Sequence, residues 1–308
     1  MSIDKTIARP SDEKLTLTQH LSRRFSMRQL IFALVLAFFL ISILFPFYWM
    51  VSSSFKTYAE IGGRKPTYIP SALRWDAYEE LFDPAHKSFQ RFGVNIVNTI
   101  KISIPTALIA TILSIFGAYA VTRLKFRGSG AMLNGILAVY LFPGILLIIP
   151  LFAMLSQIGG RLGFDVRDNL GVLTFTYLAQ TLPVALYMLA NYFRTIPEEI
   201  EQAGLIDGCS RLSVIWRITI PLAIPALVSV FIYTLMIAWN EYLYAFVFLN
   251  DKDMFTMPIA INRIFNDPQP RPHVVMAAST IMTLPVIVLF LTMQRYLTEG
   301  LASGGVKG

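Results

Sequence analysis

The chain has 308 residues, of which 55% are hydrophobic and only 15% are charged, and its mean hydropathy is +0.58. This composition exceeds what the core of one water-soluble protein requires, so it excludes an ordinary soluble domain and predicts contact with lipid. The net charge of +7 is attributed to anionic lipid headgroups, because no pattern of basic and aromatic residues is organised for nucleic acid. The single cysteine, Cys209, excludes an internal disulfide framework.

Six charge-free stretches are long enough to cross the roughly 30 Å hydrocarbon layer, which takes about 20 helical residues. With their flanks they predict spans at about 30–51, 95–122, 131–156, 170–193, 218–248 and 274–297. Helices are favoured, because lipid-facing strands need a closed barrel and would show short alternating segments. The predicted fold class is an all-α membrane protein with six transmembrane helices over 30–298, between tails at 1–29 and 299–308.

Six spans place both termini on one side of the membrane. Cations that cluster near the span ends indicate the cytoplasmic side. Those clusters are Arg23, Arg24 and Arg28, then Arg123, Lys125 and Arg127, then Arg194, Arg211 and Arg217. The opposite loop 52–93 also contains cations, so charge alone leaves the orientation open. In that loop DAYEELF predicts a short interfacial helix, and the prolines of 249–273 predict rigid turns rather than one continuous helix.

Residues 195–225 form a polar, helix-breaking interruption between the fourth and fifth apolar runs. Pro197 suits the first turn of a helix, the glutamates after it suit the positive helix end, and Gly208 is a natural stop. Ser210 can cap a second helix. The apolar stripe predicted for that second helix is Leu212, Ile215, Trp216 and Thr219. Together these signals predict a helix-turn-helix across the membrane surface.

The same segment resembles the cytoplasmic EAA loop of ABC-transporter permeases, whose pattern is EAA, three residues, Gly, nine residues, Ile, any residue, Leu, Pro. The matching positions are Gln202, Ala203, Gly204, Gly208, Ile218, Ile220 and Pro221. The spacing agrees throughout, while Gln202, Gly204 and Ile220 differ in residue type. An ordinary amphipathic connector is the alternative interpretation.

This resemblance implies a coupling loop over 194–217 that docks onto an ATPase. The residues implied in coupling are Glu198, Glu199, Glu201, Gln202, Ala203, Gly204, Asp207 and Gly208. Among them we expect polar docking contacts from Glu201, Gln202 and Asp207. We expect close packing at Ala203 and Gly204, and the turn at Gly208.

Polar side chains inside the predicted spans offer contacts to a hydroxylated solute, because sugars are often bound by aromatic stacking and by neutral amides and hydroxyls. The candidates for this substrate path are Tyr140, Tyr177, Gln180, Asn191, Tyr233 and Asn240. Tyrosines near span ends are also typical of interfacial belts, and Asn or Gln of bridges between helices. The predicted spans carry no arrangement of acids and bases for an ion-driven pump, and a neutral pore stays open as an alternative.

Two further segments carry the resemblance. AWNEYLYAFVFL, near the end of the fifth span, resembles the WNE segment of carbohydrate-uptake ABC permeases, the group that contains the smaller membrane subunit of the maltose transporter. The ending GLASGGVKG is similar to the extreme carboxyl terminus of that subunit. The resemblance implies that 300–308 reaches into an ATPase-dimer interface, with Gly304, Gly305 and Lys307 as contacts. A flexible glycine-rich end is the alternative.

Signatures of catalysis are missing from the sequence. There is no GxxxxGK[ST] phosphate loop and no GxSxG turn. The histidines His20, His86 and His273 lie apart, without clustered carboxylates or a second cysteine, which predicts no metal site. We therefore expect a transport subunit without a cofactor of its own, and we expect ATP and Mg to act in a separate partner.

The resemblance implies a permease subunit of an ATP-driven importer for a carbohydrate, a glycoside or a related polyol. It further implies a bacterial inner membrane with both termini cytoplasmic. The expected partners are a second homologous permease, two copies of an ATP-binding subunit, an external solute-binding protein, the carbohydrate and membrane lipid, without nucleic acid. The alternatives are an ATP-independent channel or facilitator and another class of ABC permease.

Overall fold

A computed structural model describes residues 27–63, 67–83, 91–124 and 126–304. These residues are mainly helical and contain no strand, which confirms the predicted all-α class. The helices are α1 (Met27–Ser54), α2 (Tyr58–Gly62), α3 (Asp76–Phe82), α4 (Phe92–Arg123), α5 (Ser129–Tyr140), a 3-10 turn (Gly144–Leu147), α6 (Ile148–Leu162), α7 (Leu170–Phe193), α8 (Glu198–Ile206), α9 (Arg211–Val214), a π-helical segment (Ile215–Thr219), α10 (Ile220–Leu222), α11 (Ile224–Asn240), α12 (Leu243–Phe248), α13 (Met257–Phe265) and α14 (Pro272–Gly304).

Contacts divide the chain into two units, Met1–Trp49 and Met50–Gly308. The described part of the first unit belongs to α1. Its apolar side chains are exposed, Phe32 by 68% and Ile41 by 67%. A long apolar helix without charge at its centre suits a hydrocarbon environment.

Within the described residues, five helical stretches are long and apolar enough to cross a membrane. They are Met27–Ser54, Phe92–Arg123, Gly144–Leu162, Leu170–Phe193 and Pro272–Tyr296. A sixth span results if Arg211–Leu222 and Ile224–Asn240, which meet at a bend of 82°, are counted as one broken span. The first, second, fourth and sixth predicted spans thus correspond to α1, α4, α7 and α14.

The third predicted span, 131–156, is wrong as a continuous helix. α5 ends at Tyr140, Pro143 has an extended ψ of 107°, and helical backbone resumes at Gly144. Proline has no N–H for an α-helical hydrogen bond, and it disfavours helical geometry in the residue before it. The proline therefore accounts for the interruption between α5 and the 3-10 turn.

The fifth predicted span, 218–248, is also wrong as a continuous helix. Its first interruption lies at Ala223, whose φ of −97° and ψ of 5° separate the segments that contain Pro221 and Pro225. A second interruption follows Asn240, before α12 begins. Two prolines four residues apart remove two backbone donors from adjoining turns, which explains the bend.

α4 forms the centre of the second unit, and it contacts α7 most extensively and α11 next. Its backbone approaches α7 closely, because a Cβ atom at Gly117 would lie 2.7 Å from Leu186 Cδ1. Small residues at helical spacing along α4 permit such approach, as is common between membrane helices. Those that are completely buried are Ser103, Ala107, Ala110, Ser114 and Ala118.

The amino-terminal turns of α4 hold the segment before α13 through buried amides. Asn98 Nδ2 donates to the carbonyl oxygens of Asp253 at 2.7 Å and Phe255 at 3.2 Å. Asn95 Nδ2 donates to the same Phe255 oxygen at 2.9 Å. The loop 249–273 therefore contains a fastened segment and the nine-residue helix α13, in addition to the predicted turns.

The segment after α1 is fastened by a buried amine and a carboxylate. Lys56 Nζ donates to the carbonyl oxygen of Thr67 at 2.6 Å, and burial lowers the pKa of this amine. Glu60 accepts backbone N–H groups from Thr57 at 2.8 Å and from Ser71 at 3.0 Å. Hydrogen bonds from Ser71 and then Thr57 lower the pKa of Glu60 to about 2.

The short helix predicted for DAYEELF is present as α3. Its residues Ala77 and Leu81 are buried in a cluster with Val274, Ala277 and Ala278 at the beginning of α14. α3 therefore packs against the first turns of α14, one of the helices long enough to span a membrane.

The substitution Asn98→Ala tests the fastening of the loop to α4. We expect the free energy of unfolding to fall by about 1–3 kcal/mol, because the half-buried carbonyl of Asp253 loses its donor and the buried carbonyl of Phe255 loses one of its two donors. Thermal unfolding of the detergent-solubilised protein measures this change. Asn266→Ala is the matched control, since Asn266 is exposed and its side chain donates to Asn262, one turn earlier in α13. Equal melting temperatures for the two variants would contradict the prediction.

Candidate functional site

α8 ends where the sequence predicts, but it begins at Glu198, so Pro197 precedes its first turn. Pro197 occupies its N-cap, and the helix closes in a Schellman motif, in which Gly208 N donates to Leu205 O at 3.1 Å and Cys209 N donates to Gly204 O at 3.0 Å. Gly208 has a φ of 85°, the left-handed conformation that glycine adopts without a steric penalty. Ser210 Oγ then accepts the N–H of Ser213 and caps α9, so the turn between the helices is tightly defined.

Gly204 lies where α8 meets the π-helical segment. A Cβ atom at this position would lie 2.5 Å from Ile218 Cδ1, and Gly204 is buried. Ala203 is exposed, so the close packing that the sequence predicts for both residues occurs within this chain only at Gly204.

Glu201 is buried beneath α8 and forms an ion pair with Arg123, the last residue of α4. The Arg123 Nε to Glu201 Oε2 distance is 3.1 Å, and the two side chains are 6% and 5% exposed. Thr219 Oγ1 donates to the other carboxylate oxygen of Glu201 at 3.2 Å. The carboxylate is therefore engaged inside the chain, which differs from the docking contact predicted for it.

Arg123 also binds the end of α7. Its Nη2 donates to the carbonyl oxygens of Phe193 at 2.8 Å and Ile196 at 2.9 Å. Phe193 is the final residue of α7, and its carbonyl is one of those left without a partner inside the helix. One guanidinium thus joins the ends of α4 and α7 to the underside of α8. The sequence indicated Arg123 only as a cation at a span end, and its distance of 78 residues from Glu201 hid the pairing.

The opposite side of α8 is exposed and combines apolar and polar groups. Ile206 is 85% exposed and Ile200 is 43% exposed. Of the residues predicted for coupling, those exposed are Glu199, Gln202, Ala203, Asp207 and Gly208, whereas Glu198 is half-buried. We call this side, from Glu199 to Gly208, the docking face.

The predicted apolar stripe of the second helix is only half correct. Ile215 and Thr219 are buried, whereas Leu212 is 61% and Trp216 is 58% exposed. Leu212 and Trp216 therefore add exposed apolar surface near the docking face.

A cavity of about 690 Å³ lies beside the interruption of the third apolar segment. Its wall includes the predicted residues Tyr140 and Gln180, together with Thr176 and Tyr244. Tyr140 and Tyr233 lie with their hydroxyl oxygens 3.1 Å apart, which brings a third predicted residue to its edge. The volume falls within the range of about 300–1,000 Å³ that is typical of small-molecule sites.

Four predicted substrate contacts, Tyr177, Asn191, Tyr233 and Asn240, are not part of this wall. Tyr177 is buried, and its hydroxyl donates to Glu241 Oε2 at 2.6 Å. Glu241 also accepts the N–H groups of Tyr244 and Ala245, so it caps α12 and fixes Tyr177. Asn240 is exposed and donates to Met236 O in its own helix. The WNE segment therefore has a structural role, because its aromatic and acidic side chains connect helices.

The structure describes only part of the predicted carboxyl-terminal contact with an ATPase. Gly304 is the last residue of α14, whereas Gly305 and Lys307 lie outside the described residues. Among the described residues, no group of three His, Cys, Asp or Glu side chains is arranged to hold a metal ion.

The chain belongs to the family of binding-protein-dependent transport system inner membrane components, whose model matches residues 110–303. It is accordingly a membrane permease component of ABC transporters and a transport protein rather than an enzyme.

Individual relatives extend over nearly the whole chain. The inner membrane ABC transporter permease protein YcjP of Escherichia coli is 40% identical over 273 residues, which covers 89% of this chain and 94% of the relative. The trehalose transport system permease protein SugB of Mycobacterium tuberculosis is 33% identical over 267 residues, covering 86% and 93%.

A solved structure shares the fold. It is a bacterial ABC transporter involved in the import of the acidic polysaccharide alginate, one chain of which superposes with a TM-score of 0.73 at 22% sequence identity. The superposition covers 88% of this chain and 98% of that chain, so the helical arrangement is shared across almost the full length of both.

The substitution Glu201→Gln tests the buried ion pair. We expect a loss of about 3–5 kcal/mol in the free energy of unfolding, because the Arg123 charge stays buried without its partner. Thermal unfolding and limited proteolysis between residues 196 and 210 measure the effect. Glu199→Gln is the matched control on the exposed side of α8. The double variant Arg123→Met with Glu201→Met should be more stable than Glu201→Gln, and a variant Glu201→Gln as stable as Glu199→Gln would refute the interpretation.

Proposed function

We propose that this chain is a transmembrane subunit of an ATP-driven importer for a carbohydrate, and that it forms half of the translocation path. The function of a relative supports the solute class, because SugB is a trehalose transport system permease protein. The cavity supports it as well, because it combines tyrosines and an amide with a largely apolar wall. A disaccharide, oligosaccharide, glycoside or polyol matches these features.

The observation that carries the proposal is the connection from α8 to the cavity. Arg123 binds Glu201 of α8 and the final carbonyl of α7, and the central part of α7 supplies Thr176 and Gln180 to the cavity wall. A displacement of α8 would therefore be passed to a helix that contacts the solute. Coupling then requires that ATP and solute favour different members of one two-state equilibrium.

The docking face is the proposed contact with a separate ATP-binding subunit. Exposed Ile200 and Ile206 supply its apolar area, while Glu199, Gln202 and Asp207 supply polar contacts at its rim. We place two copies of this subunit, which bind ATP and Mg, beside a second homologous permease. In this assembly the tail 299–308, with Gly304, Gly305 and Lys307, extends toward the ATPase subunits.

An external solute-binding protein completes the proposed importer. This arrangement places α8 and both termini in the cytoplasm and the loops 52–93 and 249–273 on the outer side of the inner membrane. The loop 249–273 is suited to receive the binding protein, because Asn95 and Asn98 fix its first part to α4.

Reconstitution tests this function. The chain, its companion permease, the ATPase and the binding protein are assembled in liposomes and assayed with trehalose, maltose, other glycosides and polyols. We expect uptake of at least one of them to require ATP and the binding protein. Uptake by the purified chain alone without ATP would indicate a facilitator, and ATP-dependent uptake restricted to solutes without sugar-like hydroxyls would overturn the proposed solute class.

The substitution Gly208→Val tests coupling through α8. A β-branched residue at a φ of 85° introduces strain of about 1–3 kcal/mol and disturbs the Schellman motif. We expect normal membrane insertion with loss of transport and of solute-stimulated ATP hydrolysis. Gly163→Val is the control, because Gly163 has a φ of 80° and similar open space but ends α6. Full transport by the Gly208 variant would argue against coupling through α8.

A further inference from the structure

The interruption between α5 and the 3-10 turn coincides with the cavity. All five residues from Tyr140 to Gly144 belong to its wall. The opposite wall comes from α7, where the contributing residues extend from Thr176 to Pro183. These residues occupy the central part of the 24-residue α7, so the irregular backbone lies at the depth of the membrane interior.

Two carbonyls of the interruption have protein donors. Leu146 N donates to Pro143 O at 3.0 Å, and Tyr244 Oη donates to Gly144 O at 3.1 Å. Among the described residues, no donor reaches the carbonyl oxygens of Leu141 or Phe142. Such groups are costly in hydrocarbon, and non-helical backbone at this depth is tolerated only where it is buried in protein or lines a water-filled cavity.

Gln180 presents a second unsatisfied group on the facing wall. Its Oε1 is buried, and no donor reaches it in the described part of the chain. A carboxamide carries two donors and one acceptor, and its terminal bond has a broad torsional preference. Rotation about this bond would offer the amide to a hydroxyl group in the cavity.

We propose that the interruption Tyr140–Gly144 is a binding subsite for the hydroxyl groups of the transported carbohydrate. The Leu141 and Phe142 carbonyls accept hydrogen bonds from solute hydroxyls, and the Gln180 amide contacts a hydroxyl from the opposite wall. The ring of Tyr140 supplies an apolar surface beside them. This inference rests on the proposed function, since it assigns that function's solute to particular backbone groups.

Neutral, polyhydroxylated molecules fit these groups best. Of the described residues that form the cavity wall, none is charged, so an ionic solute group would find no counter-ion among them. A hydroxyl donates to a carbonyl and accepts from an amide N–H, which matches both types of open group. A helix running unbroken through residues 140–144 would offer no such carbonyls.

Cysteine accessibility tests whether the interruption faces water. In a Cys209→Ser background within the reconstituted complex, Phe142→Cys is compared with Phe175→Cys, and a cationic methanethiosulfonate serves as the probe. The two phenylalanines are 50% and 61% exposed, but Phe175 lies outside the cavity wall. We expect Phe142→Cys to react about tenfold faster or more, because hydrocarbon excludes the charged probe. Equally slow reaction at both positions would overturn the proposal. This labelling experiment requires no solute.

Transport kinetics test the contact with the solute. For the sugar that gives ATP-dependent uptake, Gln180→Leu should raise KM about tenfold, as expected for one lost hydrogen bond. Gln157→Leu, an exposed position on α6 outside the cavity wall, is the matched control and should leave KM unchanged. Equal KM values for both variants would refute the subsite while leaving the importer function intact. If the unmodified complex takes up no carbohydrate, the proposed function itself fails, and the accessibility result stands independently.

Discussion

The ion pair between Arg123 and Glu201 fixes the relation of α8 to the helices above it. A buried ion pair is favourable only when further hydrogen bonds satisfy both charges. Here Arg123 donates to two backbone carbonyls and Glu201 accepts from Thr219, so both charges have several partners. Because this carboxylate points inward, the neighbouring residues Gln202 and Ile206 point outward. The orientation of the docking face thus follows from one interaction beneath it.

Packing determines how a movement of α8 can spread. Gly204 brings α8 close to Ile218, and Gly117 brings α4 close to Leu186 of α7, so no gap at either contact could absorb a displacement. Regular α-helical hydrogen bonding changes instead at the π-helical segment and at Ala223. Rigid contacts separated by defined bends are the kind of arrangement that can adopt two discrete states.

The sequence predicted those features that depend on neighbouring residues. Long apolar runs located α1, α4, α7 and α14, and the local preferences of Pro197 and Gly208 located the ends of α8. The inward position of Glu201 was not predictable, because it depends on a partner in another helix. The interruption at Pro143 was equally hidden, since Pro105 and Pro183 remain inside continuous helices. The side chain of Glu201 and the backbone at Pro143 thus each depend on the surroundings of the residue as well as on its type.

The chemistry of the cavity suits passage better than tight retention. A transport path must bind its solute strongly enough to admit it and weakly enough to release it. Uncharged carbonyls, one amide and tyrosines each contribute modest hydrogen bonds, whereas a charged pair in the same apolar wall would hold a polar solute far more strongly. Such a wall distinguishes hydroxylated from apolar molecules but discriminates weakly between stereoisomers of a sugar. Fine selectivity in the proposed importer would therefore fall to the external binding protein, which can hold its solute tightly until docking.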